Sequence, residues 1–155
     1  MDEDKLNRLP PDVKKQFLKL ALKLSEKKTK SKVHDDFLSF VKHVWPEFIE
    51  GRHHKEIADK FNRLAKGEIK RLIINMPPRH TKSEFASYLL PSWMVGRRPN
   101  LKIIQTTHTT ELAIRFGRKA KTLMDSEEYK QVFSTRLRED SQAAGKWETE
   151  QGGEY

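Results

Sequence analysis

The segment that most restricts the fold is Arg71-Leu-Ile-Ile-Asn-Met-Pro-Pro-Arg-His-Thr-Lys-Ser-Glu84. Its apolar run, Leu72 to Ile74, reads as a strand over about 70–75. Pro77 and Pro78 cannot continue a central strand, because each lacks the N–H that a ladder requires. A short basic loop follows, and Lys82-Ser83 opens a segment with helical character to about Met94. Strand, loop, Lys-Ser, helix is the layout of a phosphate-binding loop, in which backbone N–H groups at a helix start cradle a polyphosphate. In that layout Lys82 neutralises the β- and γ-phosphates and Ser83 ligates Mg²⁺ that arrives with the nucleotide. The pattern G-x-x-x-x-G-K-[ST] is not fully met, since Met76 and Thr81 stand where it has glycine. The second departure matters more, because that position needs φ > 0 and a β-branched residue resists it. Read without the pattern, the same residues are a strand end, a Pro-Pro turn and a basic helix start.

A second apolar run, Leu101 to Thr107, predicts another strand. Helical periodicity surrounds both runs. Leu9, Val13, Phe17, Leu20, Ala21 and Leu24 predict an amphipathic helix over 9–28, and Lys27 to Lys32 then reads as a basic linker. Further helices are expected over Val33–Trp45, over about His53–Lys66 with Gly67 as the C-cap, over 110–124 and near 127–133. Pro91 is expected to kink or end the helix that starts at Lys82. From Ser134 the signals are weak. Strands separated by helices predict an α/β fold with a partial parallel sheet of the P-loop NTPase class. Two strands are too few to finish such a sheet. The expected organisation is an N-terminal helix and linker over 1–32, then an incomplete P-loop domain over 33–155.

Composition narrows the partners. The chain has no cysteine, which excludes disulfides and thiolate metal sites. No apolar run approaches the roughly 20 residues that span a bilayer, and the acidic start Met1-Asp-Glu-Asp-Lys5 lacks the apolar core of a secretory signal. A formal net charge of +9 favours polyanionic partners, DNA among them. Arg115, Arg118, Lys119 and Lys121 give the helix after the second run a basic face, either solvated or set against DNA phosphate. Thr106 to Thr110 lie at the carboxyl end of that run, where parallel strands line a ligand crevice, or where Thr109 or Thr110 caps the next helix.

Met76-Pro-Pro-Arg-His-Thr-Lys-Ser-Glu84 resembles the Pro-Pro-Arg-His-Gly-Lys-Ser-Glu loop of tailed-phage terminase large subunits, the ATP-driven DNA-packaging motors. The lead-in Trp45-Pro46, Gly51-Arg-His-His54 and Gly67-Glu-Ile-Lys-Arg-Leu-Ile-Ile74 resembles the family's approach to its Walker A strand. Lys102-Ile-Ile-Gln-Thr-Thr-His108 with Glu111 to Arg118 is similar to its second strand and helix, and Lys146-Trp-Glu-Thr149 with Gly152-Gly-Glu-Tyr155 to the approach to its Walker B strand. The likeness covers roughly 33–155.

The resemblance implies ATP and Mg²⁺ as cofactors, held by Arg79, His80, Thr81, Lys82 and Ser83, with Arg79 sensing the γ-phosphate. It places His53 and His54 near the adenine, the alternative being surface histidines at a helix start; a zinc site there finds no partner at ligand spacing. It implies double-stranded DNA, a portal protein and a small terminase subunit as partners, at the procapsid portal in the host bacterial cytoplasm. No Asp or Glu in 101–155 follows an apolar strand in the way that organises Mg²⁺ and water for hydrolysis. The chain is therefore expected to stop short of its Walker B strand and of the family's nuclease domain, and to carry no catalytic residue. The competing expectation is a basic DNA-binding accessory protein whose loop grips phosphate without turning over ATP.

Overall fold

A computed structural model describes residues 10–143 and 145–155. The chain divides into two compact units, 1–31 and 32–155. Helix α1 (Pro11–Asp35) begins in the first and continues into the second. Leu9, expected to open this helix, lies outside the described residues. The expected linker at 27–32 is instead helical. No glycine or proline interrupts the chain from 12 to 35, and lysine is a good helix former. Within the first unit, Val13, Phe17, Leu18, Leu20, Leu22 and Leu24 are all exposed.

The second unit starts with a polar clamp. Asp36 caps α2 (Phe37–Val44): its carboxylate accepts the Ser39 N–H at 2.8 Å and the Asn62 Nδ2–H at 2.8 Å. The Asn62 carbonyl oxygen accepts the Phe37 N–H at 2.8 Å, so one amide ties α2 to α3 (Arg52–Lys66). Burial alone would raise the Asp36 carboxyl, yet the Ser39 and Asn62 hydrogen bonds prevail and hold it below the usual range. Gly67 ends α3 as expected, with φ 80°.

The core is aromatic. Phe37, fully buried, has Phe61, Phe85 and Trp93 edge-on at ring-centroid distances of 5.0, 5.4 and 5.5 Å. Phe40, Tyr129 and Phe133 extend the cluster. The Trp93 indole N–H reaches the His34 carbonyl at 3.1 Å, and the Tyr129 hydroxyl reaches the Ser92 carbonyl at 2.8 Å.

The helix after the loop is built in three pieces: α4 (Lys82–Glu84), a π-helical turn (Phe85–Leu89) and α5 (Leu90–Arg97). Pro91 therefore does not end it. A proline clashes with the carbonyl four residues earlier in a regular helix. Here the Leu90 N–H bonds to Phe85 O, five residues back, which widens the backbone just ahead of Pro91. Helices α6 (Thr110–Asp125) and α7 (Glu127–Val132) follow, capped by Thr109 and Ser126 side chains.

The expected α/β fold with a parallel P-loop sheet is not what forms. The second unit is mainly helical. Its one sheet among the described residues is an antiparallel pair, β1 (Leu137–Ala143) with β2 (Lys146–Thr149), whose register slips between Leu137 and Gln142. Residues 70–75 pair with nothing, and the 101–107 run makes a single parallel bridge, Lys102 to Glu154. Both runs keep a period-two pattern: Leu72, Ile74 and Ile103 pack on the core, whereas Ile73 and Ile104 are 85% and 91% exposed. A parallel sheet buries both faces. These runs bury one, and among the described residues the ladder bonds of the 101–107 run are limited to Ile103 N–H to Glu154 O at 2.7 Å and Glu154 N–H to Leu101 O at 3.1 Å. The tail from Ser134, where the sequence signals are weak, is held by Thr149, whose hydroxyl accepts the Gly153 N–H at 2.8 Å and donates to Pro99 O.

Candidate functional site

The loop 76–84 surrounds an open concavity of about 560 Å³, lined by Met76, Pro77, Pro78, Arg79, Thr81, Lys82, Ser83 and Glu84. Four of the five residues expected to bind nucleotide thus share one surface; His80, the fifth, turns its Nδ1–H back to Pro78 O at 2.9 Å. Arg79, Lys82 and Ser83 are exposed.

Two residues in this loop adopt the left-handed conformation without being glycine: Arg79 (φ 65°) and Thr81 (φ 60°, ψ 8°). Thr81 therefore meets the backbone requirement that its β-branched side chain should resist. Such conformations cost on the order of 1–3 kcal/mol each and persist only where surrounding structure fixes them. Thr81 is immediately followed by Lys82, where the helical run starts, and the N–H groups of a first helical turn have no carbonyl of their own helix to bond. The result is a cationic hollow beside backbone donors, a setting for an anion.

Glu84 is the one carboxylate in the lining. Lys119 of α6 holds both its oxygens at 2.8 Å, and the Lys119 ammonium lies 5.2 Å from the Tyr88 ring centre. Sequence alone assigned Lys119 to a basic outer face. Its spacing from Glu84 carries no signal, because the pair is set by helix packing. The Thr106–Thr110 segment does not line the concavity; Thr109 caps α6 by accepting the Leu112 N–H at 3.3 Å.

His53 and His54 approach the loop from the start of α3. Their ring centres are 3.8 Å apart, and His80 lies 5.9 Å from His53. His54 is nearly buried, between the Phe48 and Phe85 rings at 4.8 and 5.0 Å. Both its nitrogens are engaged inside the protein: Nδ1 with the Gly51 N–H at 2.9 Å, Nε2 with Thr81 Oγ1 at 2.6 Å. Burial pushes the His54 imidazole below its ordinary value, and His53 and His80 push the same way against Glu50. Glu50 itself is held down to about 2 by hydrogen bonds from Lys42 and Lys55. The family resemblance implied only a position near the adenine for the two histidines, and nothing in the residue order signalled the bond to Thr81.

Among the described residues no group of His, Asp and Glu side chains could hold a metal by itself, and no helix is long and apolar enough to cross a membrane. The chain matches no protein-family model, no curated protein and no solved structure.

Proposed function

We propose that the loop from Met76 to Glu84 binds the phosphates of Mg·ATP, and that the chain acts within a DNA-packaging motor of the terminase large-subunit kind. The observation that carries this reading is the left-handed Thr81 directly before Lys82-Ser83 at a helix start, in a loop lined by Arg79. Lys82 meets the β/γ-phosphates, the Ser83 hydroxyl joins the Mg²⁺ shell, and Arg79 reads the γ-phosphate. Support beyond the loop is the terminase-like residue order over roughly 33–155 and the +9 charge, which suits double-stranded DNA. The portal protein, the small terminase subunit and a location at the procapsid portal belong to the same proposal. It carries no claim of a parallel sheet.

One observation favours a reading without turnover. The only carboxylate lining the hollow, Glu84, is bound on both oxygens by Lys119 and so is not placed to orient water. A DNA-binding accessory protein that grips phosphate through this loop fits that arrangement.

Calorimetric titration with Mg·ATP tests the proposal. Saturable binding that weakens by about tenfold or more in Lys82→Ala, a loss of ~1.4 kcal/mol or more, is the expected result. Absence of binding, or equal affinity in the variant, overturns it. The same titration separates the readings: ATP affinity that requires Mg²⁺ and is lost in Lys82→Ala is expected of the motor reading alone, and affinity indifferent to Mg²⁺ favours the accessory alternative.

A further inference from the structure

We propose that His54 is a positioning residue for this loop: neutral, it links Thr81 to the Gly51 N–H at the start of α3, and its protonation breaks that link at Gly51. The functional meaning rests on the nucleotide reading above; the fastening itself does not.

The direction of each bond is fixed by chemistry. The Gly51 N–H can only donate, so His54 Nδ1 must be the acceptor. The His54 proton therefore sits on Nε2 and is donated to Thr81 Oγ1. The hydroxyl keeps its own proton for the His80 carbonyl, 2.6 Å away. Gly51 N–H, imidazole, hydroxyl and carbonyl form one relay from the N-cap of α3 to the residue before Lys82. A glycine at 81 would adopt φ 60° unaided. Threonine needs a restraint, and the relay supplies one.

A second proton on His54 would land on Nδ1, facing the Gly51 N–H, and two donors cannot bond. The groups facing His54 are His53 and His80, the Phe48 and Phe85 rings, Thr81, and Glu50, whose carboxylate is shared by Lys42 and Lys55. Burial and the two histidines favour the neutral ring. A histidine whose folded-state value is lowered gives stability above its unfolded value, near 6.5, and loses it as pH falls below that.

Imidazole ¹⁵N NMR of the full chain tests the relay without any ligand. The expected result is an Nε2–H tautomer for His54, titrating below 6.5, with the Thr81 and Lys82 amide shifts following that titration. In Thr81→Val the Lys82 amide should stop following while His54 still titrates. An Nδ1–H tautomer, or Thr81 and Lys82 amides that stay still as His54 titrates in the wild-type chain, overturns the proposal even if the variant does not fold. With Mg·ATP at pH 7.5, His54→Ala should weaken binding about fivefold or more, since a loop left loose binds in proportion to its competent fraction. His54→Gln, which keeps a donor near the Nε2 position, should recover most of that loss. Equal weakening by both variants counts against the relay. No binding by the wild-type chain, with the NMR coupling intact, removes the nucleotide reading and leaves the relay standing.

Discussion

The rings around Phe37 and the side chains of Ile73 and Ile104 are all large and apolar, yet the second unit treats them in opposite ways. Phe37, Phe40, Phe61, Phe85 and Trp93 are each no more than 1% exposed, whereas Ile73 and Ile104 are 85% and 91% exposed. The difference lies in what each backbone requires. A helix closes its own hydrogen bonds, so α2, α3 and α5 need only a face to pack. An extended run must borrow its hydrogen bonds from neighbours. The runs at 70–75 and 101–107 find a core for one face and only the Glu154 bridge for their edges.

The largest expected effect is in the aromatic region. Phe37→Ala should cost about 3–5 kcal/mol in urea unfolding, the range for an aromatic truncated in a packed core. A cost under about 1 kcal/mol would mean that the cluster is not a core, and the contrast with the isoleucines would disappear.

Next is Gly96→Ala in α5. A Cβ there would stand 2.7 Å from both Phe133 Cγ and the Tyr129 hydroxyl. Overpacking of this kind should cost about 1–3 kcal/mol. A neutral result would show that α7 can shift away from α5.

The smallest effect should come from Ile73→Ser and Ile104→Ser, each within about 0.5 kcal/mol of the parent, as for surface substitutions in general. A loss above about 1 kcal/mol from either would show that the extended runs bury their outer faces in solution.

The helices were legible because their signals are local. Apolar spacing located α3 and α6, and Gly67 marked an end that the structure reproduces; the helix expected from Val33 instead starts at Phe37, because Asp36 caps it and Val33 belongs to α1. The α/β sheet was misread for the same reason. Leu72 to Ile74 and Leu101 to Thr107 show strand periodicity, and their burial does alternate, but pairing depends on partners that no local window reveals. Pro91 does not end the helix, because the π-turn ahead of it, which has no spacing signature, relieves the clash. At the candidate site, Lys82, Ser83 and the need for φ > 0 at Thr81 came directly from the residues. The His54–Thr81 and Glu84–Lys119 contacts join positions 27 and 35 residues apart, and only the packing of α3 and α6 on the loop helix creates them.

The π-turn at Phe85–Leu89 has a consequence for descent and engineering. Such a turn is the footprint of one extra residue in an α-helix, and each residue turns a helix by about 100°. Removing a single codon from this turn would leave the aromatic residues on either side intact in kind. The turn would close to regular α-geometry, with Lys82 and Ser83 kept near their present phase, but the widening ahead of Pro91 would be lost. Point substitution can retune this loop, but the π-turn cannot be deleted while Pro91 remains.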